Sequence, residues 1–471
     1  MGRGDPVGQW CLNRSQMRWN LMAIMEREDC KAGFTRREFF LGAIVAASAA
    51  PVILLAADAP PCGLLDSFTW GDRQIPVSDS RLPANRAIDD AILAAMREYG
   101  VVGCGVSIVR GDALIYAKGF GFAELPHTSF LPTAATRCGS LAKPVTALAA
   151  LQLRDQGKLD LDAEVVPILR EVGIVPRPIR GHRVDERIAA IKVRHLMDHT
   201  SGLPNETTYT AWRPGVNVAA RQRLEHVATG ADVVADGLGN ARLHAEPGAK
   251  FEYANANFVI LARVIEARAK MPFNAFLTEV AMPRFGVGPR EIYVSQNQLS
   301  PDSKQRGRNE PAYNQTSGDR FVSFVPTEEA HGTVYAEAYR GYATQASDGA
   351  GGIACAAPGL GKLLANLHSE RPALSKDAIA EILTPPEHYT REPGFDRATS
   401  TFYSKGFNVR FSDGRAWFSH SGMTQHCGGV IGHNAGCQYV AVSNWNNAHS
   451  PYVDVILGRV LKAAVAKAPL D

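Results

Sequence analysis

A chain of 471 residues, 45% hydrophobic and 21% charged, has the composition of a globular protein and ample length to bury a core in one large domain or two. A formal net charge of +3 is too small to argue for nucleic acid or an anionic membrane surface as a partner, and no charge run or internal repeat stands out. The eight cysteines are scattered and none forms a Cys-x-x-Cys pair, so no disulfide framework, redox motif or structural zinc site is indicated.

Residues 1–59 read as a leader. Phe34-Thr35-Arg36-Arg37-Glu38-Phe39-Phe40-Leu41 sets two arginines before an uncharged run from Phe39 to Ala57, which Asp58 closes. The pattern resembles a twin-arginine export signal, which makes a twin-arginine translocase an expected partner and a periplasmic or secreted location the expected destination. Small residues at Ala57-Asp58-Ala59 suit a signal peptidase. The alternative is a retained membrane anchor, since the run approaches bilayer-spanning length.

Residues 60–85 show little periodicity and read as a linker to a domain at 86–467. Ala87 to Tyr99 carries Ile88, Ile92, Leu93 and Met96 on one helical stripe, ended by Gly100. Val101–Val109 and Ala113–Phe122 form a hairpin about Arg110-Gly111-Asp112. A long helix is expected from Ser140 to Gln156, stopped by Gly157. Residues 172–325 carry polar insertions between helical segments such as Phe258–Lys270, and read as a mainly helical subdomain. Gly351–Ser369 holds another helix behind two glycines. Strands follow at Lys405–Phe411, Arg415–Ser421, Gly429–Ile431 and Cys437–Asn444, and Val453–Ala466 closes as an amphipathic helix. The expected class is α/β in the α+β sense: an antiparallel sheet built from both chain ends, flanked by helices, with a helical insertion.

Three short motifs carry chemistry. Ser140-Leu141-Ala142-Lys143 is the only Ser-x-x-Lys in the chain, at a Gly-Ser step that opens a helix. Residues three apart share a helix face, so the lysine amine can approach the serine hydroxyl, a poor nucleophile until a base takes its proton. The helix N-terminus adds partial positive charge and backbone N–H groups. Taken alone, the motif reads more readily as a cap serine and a solvated lysine. Tyr253-Ala254-Asn255 is the only Tyr-x-Asn, and His420-Ser421-Gly422 ends a strand, with a second His-x-Gly at His426.

In this order, Ser-x-x-Lys, Tyr-x-Asn and His-x-Gly resemble the serine β-lactamase and penicillin-binding-protein superfamily, closest to its class C, D-alanyl-D-alanine carboxypeptidase and esterase branch. Gly157-Lys158-Leu159-Asp160-Leu161, His195-Leu196-Met197-Asp198-His199-Thr200-Ser201-Gly202-Leu203-Pro204 and the stretch from Pro247 to Asn255 resemble it too. The resemblance implies a β-lactamase/transpeptidase-like fold and an acyl-enzyme on Ser140. It implies that Lys143 and Tyr253 handle its protons, with either as the base, and that Asn255 orients Lys143 and contacts the substrate amide. It implies an oxyanion hole from the backbone N–H groups of Ser140 and Met423, beside Gly422. No cofactor is implied.

His420 stands where the lactamases carry a lysine, and a protonated His420 is expected to read a substrate carboxylate, with charge changing near pH 6.5. The resemblance thus implies a small-molecule or peptide substrate: a D-peptide or ester, with a β-lactam as the alternative. A non-catalytic penicillin-sensing or scaffold protein is the reading of a different class. His195 and His199, at i, i+4, could suggest a metal site, but the carboxylate is Asp198 rather than Glu and no third ligand is apparent, so no metal is expected. Cys138, two residues before Ser140, is expected to face the core.

Overall fold

The computed structural model describes residues 72–79, 82, 85–125, 127–204, 218–219, 221–224, 226, 228–296, 309–311, 320–322, 334–336, 344–424, 427–445 and 453–468. The leader with Arg36 and Arg37, most of the stretch 60–85, and His426 lie outside them. The chain divides into two units, and the fold is that of Ala59–Asp471.

The fold opens with β1 (Val77–Asp79), α1 (Arg86–Tyr99), β2 (Val101–Arg110) and β3 (Ala113–Glu124). The Asn85 side chain caps α1 by accepting from Ile88 N, and Gly100 ends it at φ 66°, a left-handed stop. β4 (Thr136–Arg137), α2 (Ala142–Asp155), α3 (Val193–Met197), α4 (Asn255–Ala269), β5 (Ile292–Val294), β6 (Ile353–Cys355) and α5 (Ala357–Leu367) follow. The C-terminal part runs through β7 (Thr401–Ser404), β8 (Phe407–Ser412), β9 (Arg415–Thr424), β10 (Cys427–Asn434), β11 (Cys437–Trp445) and α6 (Val453–Lys467).

The main sheet has the order β1-β3-β2-β11-β10-β9-β8-β7, antiparallel throughout, so the first hairpin pairs with the last strand and both chain ends build one sheet. Alternation along β11 sorts the two faces. Tyr439 and Ala441 join Ile88, Ile92, Leu457 and Leu461 of α1 and α6, whereas Val440 and Val442 join the cluster holding Leu148, Phe258 and Leu360 of α2, α4 and α5. Every residue of α2 from Ala142 to Leu153 is buried. A helix buried on all sides belongs in the centre of a core, and this one presents its N-terminus to β9.

Several boundaries differ from the sequence reading. Val77–Asp79, inside the stretch read as a linker, pairs with β3 as an edge strand. The expected helix over Gly351–Ser369 is two elements. Ile353–Cys355 runs as β6 between β4 and β5, and α5 starts only at Ala357, with Pro358 in its first turn where a missing N–H costs nothing. β7 went unread because four residues give too short an alternation to see.

The β7–β8 turn locks the edge of the sheet to the core. Lys405 sits at φ 46°, and its backbone N and Nζ both donate to Asp198, Nζ at 2.8 Å from Oδ2, with both side chains buried. Gly406 N donates to Met197 O at 3.1 Å, and a Cβ at Gly406 would stand 2.9 Å from Lys143 O. Removing Asp198 leaves the buried Lys405 ammonium with only the more distant Glu381 carboxylate, at 3.7 Å. We therefore expect Asp198→Ala to cost about 3–5 kcal/mol, and joint replacement of Asp198 and Lys405 by apolar residues to cost much less. Urea denaturation measures both, and an unchanged midpoint for Asp198→Ala contradicts the role given to the pair.

Candidate active site

Chain segments far apart in sequence meet at the start of α2. Gly139–Leu141 form one 3-10 turn before α2 begins at Ala142, so Ser140 precedes the α-helix rather than opening it. Neither helical segment takes a side-chain cap there, and Lys143 is wholly buried. A cap serine and a solvated lysine are therefore not what the fold contains.

Lys143 Nζ lies 2.9 Å from Ser140 Oγ, 2.6 Å from Asn255 Oδ1 and 2.8 Å from the carbonyl oxygen of Ala350. The Tyr253 hydroxyl donates to Ser140 Oγ at 2.8 Å, and Lys143 Nζ stands 4.8 Å from the centre of the Tyr253 ring. Burial holds the Lys143 ammonium well below the ordinary lysine range. Ser140 Oγ is thus contacted by an amine biased toward its neutral form and by a phenol.

Each contact has a local cause. Asn255 is the first residue of α4 and Ala254 its extended cap, so the entry into that helix supplies both Tyr253 and Asn255. Ala350 O comes from the short helix Asp348–Gly351, which is held by a buried Arg263–Asp348 ion pair and by Thr146 Oγ1 donating to Gly349 O at 2.9 Å.

The β9 backbone closes the other side. A Cβ at Gly422 would stand 2.5 Å from Ser140 N and 2.6 Å from Leu141 N. Gly139, at φ 55°, lies so close to Met423 that any Cβ there would overlap its backbone N. The two glycines let the strand backbone meet the start of α2, bringing Met423 N next to the residue before Ser140. Ser140, Lys143, Tyr253, Asn255, Gly422 and Met423 all meet here as the sequence reading grouped them.

His420 is the correction. It lies within β9, which runs on to Thr424, rather than at a strand end, and its side chain is buried. Nδ1 donates to Ser421 O at 2.6 Å, which leaves Nε2 to accept the Tyr403 hydroxyl at 3.3 Å. Burial, reinforced by Lys143, lowers its pKa to about 3. A neutral imidazole with both nitrogens engaged is not a cation awaiting a carboxylate, so the expected change of charge near pH 6.5 does not stand.

The metal premise fails on geometry as well. α3 ends at Met197, so His195 and His199 do not share a helix face; their Nδ1 atoms accept from Lys192 N and Ala254 N respectively. Cys138 faces the core as expected, its sulfur 3.1 Å from that of Cys355, with both thiols free. Sequence reasoning missed Ala350 O, whose signal lies only in a backbone carbonyl, and Tyr403, which sits on the unread strand β7.

The sequence profile of the family described as Beta-lactamase matches residues 88–464. Penicillin-binding protein 4* of Bacillus subtilis (strain 168) is 30% identical over 201 residues, covering 42% of this chain and 39% of that protein. The chain spans about two-fifths of the length of the curated relatives it matches. Among solved structures, D-amino acid amidase from Ochrobactrum anthropi SV3 superposes with a TM-score of 0.57 at 16% identity, over 81% of this chain and 97% of that one. EstCE1, described as a hydrolase with promiscuous acyltransferase activity, gives 0.56 at 21% identity, over 81% and 97%. At these identities the likeness is one of fold.

Buried neutral histidines make stability depend on acid. Burial lowers the pKa of His195 to about 4 and of His420 to about 3, and pushes His199 well below 6.5. In the unfolded chain all three protonate near 6.5, so as pH falls below that value the unfolded state binds more protons and stability drops; above it their contribution is fully present. The melting temperature should fall steadily from about pH 6.5 to about pH 4, and less steeply in His420→Gln. Burial raises the Asp454 carboxyl to about 7 and so opposes this trend, which makes the difference between wild type and His420→Gln the readout: equal slopes across that window contradict the neutral assignment of His420.

Proposed function

The chain belongs to the Beta-lactamase family, and from that premise we propose that it is a serine hydrolase acting through an acyl-enzyme on a neutral ester or amide, D-peptides included. The observation that carries the reading is the convergence of Lys143 Nζ and the Tyr253 hydroxyl on Ser140 Oγ, at 2.9 and 2.8 Å. The amidase and the acyltransferring hydrolase that share the fold support the class of chemistry.

The proton path follows from the contacts. The Asn255 and Ala350 oxygens only accept, so a neutral Lys143 amine donates its two hydrogens to them and points its lone pair at Ser140 Oγ. As Oγ bonds to the substrate carbonyl carbon, its proton passes to Lys143. The carbonyl electron pair becomes an oxyanion beside the backbone N–H groups of Ser140 and Met423. Collapse of that intermediate breaks the bond to the leaving group, which takes the Tyr253 hydroxyl proton. The phenolate then takes a proton from water, whose oxygen attacks the acyl carbon. Release of Ser140 Oγ, reprotonated by Lys143, returns every group to its starting state.

Neutral His420 supports the substrate preference. A D-alanyl-D-alanine peptide or a β-lactam brings a carboxylate, and at this position it meets an imidazole already engaged by Ser421 and Tyr403. A p-nitrophenyl ester and a D-amino acid amide should therefore give higher kcat/KM than a D-alanyl-D-alanine peptide or nitrocefin. Lys143→Met and Tyr253→Phe should each lower kcat about 10²–10⁴-fold on the ester. Because burial depresses Lys143, activity should rise with pH to a plateau reached well below 10.5, the ordinary value for lysine. Wild-type kcat in Lys143→Met, or faster turnover of nitrocefin than of the ester, would contradict the reading.

Export through a twin-arginine translocase is the second part of the proposal, supported by Arg36-Arg37 before the uncharged run. Replacing both arginines with lysine should retain the chain in the cytoplasm of a bacterial host. Undiminished export of that variant argues for another route.

A further inference from the structure

His199 brackets Tyr253 along the chain. Its backbone carbonyl accepts from Glu252 N at 2.8 Å, and its Nδ1 accepts from Ala254 N at 3.2 Å. Its ring centre lies 4.2 Å from the Tyr253 ring centre at an interplanar angle of 37°, while Phe258 and Tyr403 enclose it at 5.2 and 5.0 Å. The residues before and after the phenol, and the phenol itself, thus all rest on one residue: Glu252 on its backbone carbonyl, Ala254 and the Tyr253 ring on its side chain.

The hydrogen bonds fix the ring's protonation. Ala254 N can only donate, so Nδ1 carries no proton; the Asn257 amide, 3.0 Å away, donates to it as well. Ser201 Oγ donates to Asn257 Oδ1 at 2.6 Å, which sets that amide's orientation. The imidazole hydrogen is therefore on Nε2, wholly buried and without a hydrogen-bond partner among the described residues. His199 also holds φ 55°, a left-handed conformation unusual for a residue with a β-carbon. An orphaned buried donor and a strained backbone in one residue are both unfavourable, and such features persist where a functional geometry depends on them.

We propose that His199 is a positioning residue that holds the Tyr253 hydroxyl on Ser140 Oγ, acting as a neutral acceptor at Nδ1 and as a plate beneath the phenol ring. The proposal rests on the acyl-transfer reading above and gives the His199-Thr200-Ser201 segment a task in it. Nε2 has no proton acceptor among the described residues, so the ring is given no proton to relay; it fixes the group that moves one.

Two substitutions separate positioning from mere filling. In His199→Asn the amide oxygen can take the place of Nδ1, and asparagine tolerates positive φ. In His199→Leu the volume is kept and the acceptor lost. On a neutral ester, His199→Leu should lower kcat about 10²-fold with KM nearly unchanged, as a small misplacement of a catalytic group does. His199→Asn should recover at least tenfold of that loss, and the rate of fluorophosphonate labelling should follow the same order. A folded His199→Leu at the wild-type rate, or a His199→Asn no better than His199→Leu, overturns the proposal.

If His199→Leu fails to fold, nuclear magnetic resonance of wild type carrying isotope-labelled histidine decides. A neutral His199 protonated at Nε2 at neutral pH is expected, and a ring protonated at Nδ1 overturns the proposal. Wild type that labels at Ser140 while His199 variants label equally fast defeats this inference alone. Wild type inert toward the fluorophosphonate and the ester defeats the acyl-transfer reading beneath it.

Discussion

The site depends on one lysine amine kept out of water. An ammonium buried as completely as Lys143 is expensive unless its hydrogens are met, and three oxygens meet them: Ser140 Oγ, Asn255 Oδ1 and Ala350 O. The same burial that makes the charge costly shifts the group toward the neutral amine. Two of the oxygens cannot give a proton, so the neutral amine has one direction left for its lone pair, toward the serine. Placing Lys143 at the buried start of α2 therefore fixes both the state of the amine and its aim.

Everything around that amine serves to hold three backbones together. α2 supplies the serine and lysine, the reversal before α4 supplies tyrosine and asparagine, and β9 approaches through Gly422 against Gly139. The β7–β8 turn presses Gly406 onto the first turn of α2, while the buried Lys405–Asp198 pair ties that turn to the residue before His199. The clamp on the sheet edge and the support for Tyr253 thus share one loop. The aromatic group of Phe251, Tyr253, Phe258 and Tyr403 around His199 fills the space between them.

Much of this was legible in the sequence. Ser-x-x-Lys, Tyr-x-Asn and the glycine of His-x-Gly name residues that meet, and the turn at Arg110-Gly111-Asp112 locates the hairpin of β2 and β3. Legibility ended where local pattern ceases to carry information. β6 and β7 are three and four residues long, so neither shows a period, and Ala350 acts through a carbonyl that any residue has. His420 was readable as a motif residue but not as a neutral one. Its neutral state is set by burial, reinforced by Lys143, and its hydrogens are placed by Ser421 O and Tyr403, a tyrosine on a strand the sequence did not reveal. His199 was visible as part of the family-like stretch from His195 to Pro204, yet its grip on the chain beside Tyr253 crosses more than fifty residues.

The central claim is that Ser140 is the nucleophile. Intact-protein mass spectrometry after reaction with a fluorophosphonate, followed by peptide mapping, tests it most directly. The account predicts a single adduct on Ser140, absent from a folded Ser140→Ala variant. An adduct on Ser201 or Ser421, or one that persists in Ser140→Ala, contradicts it.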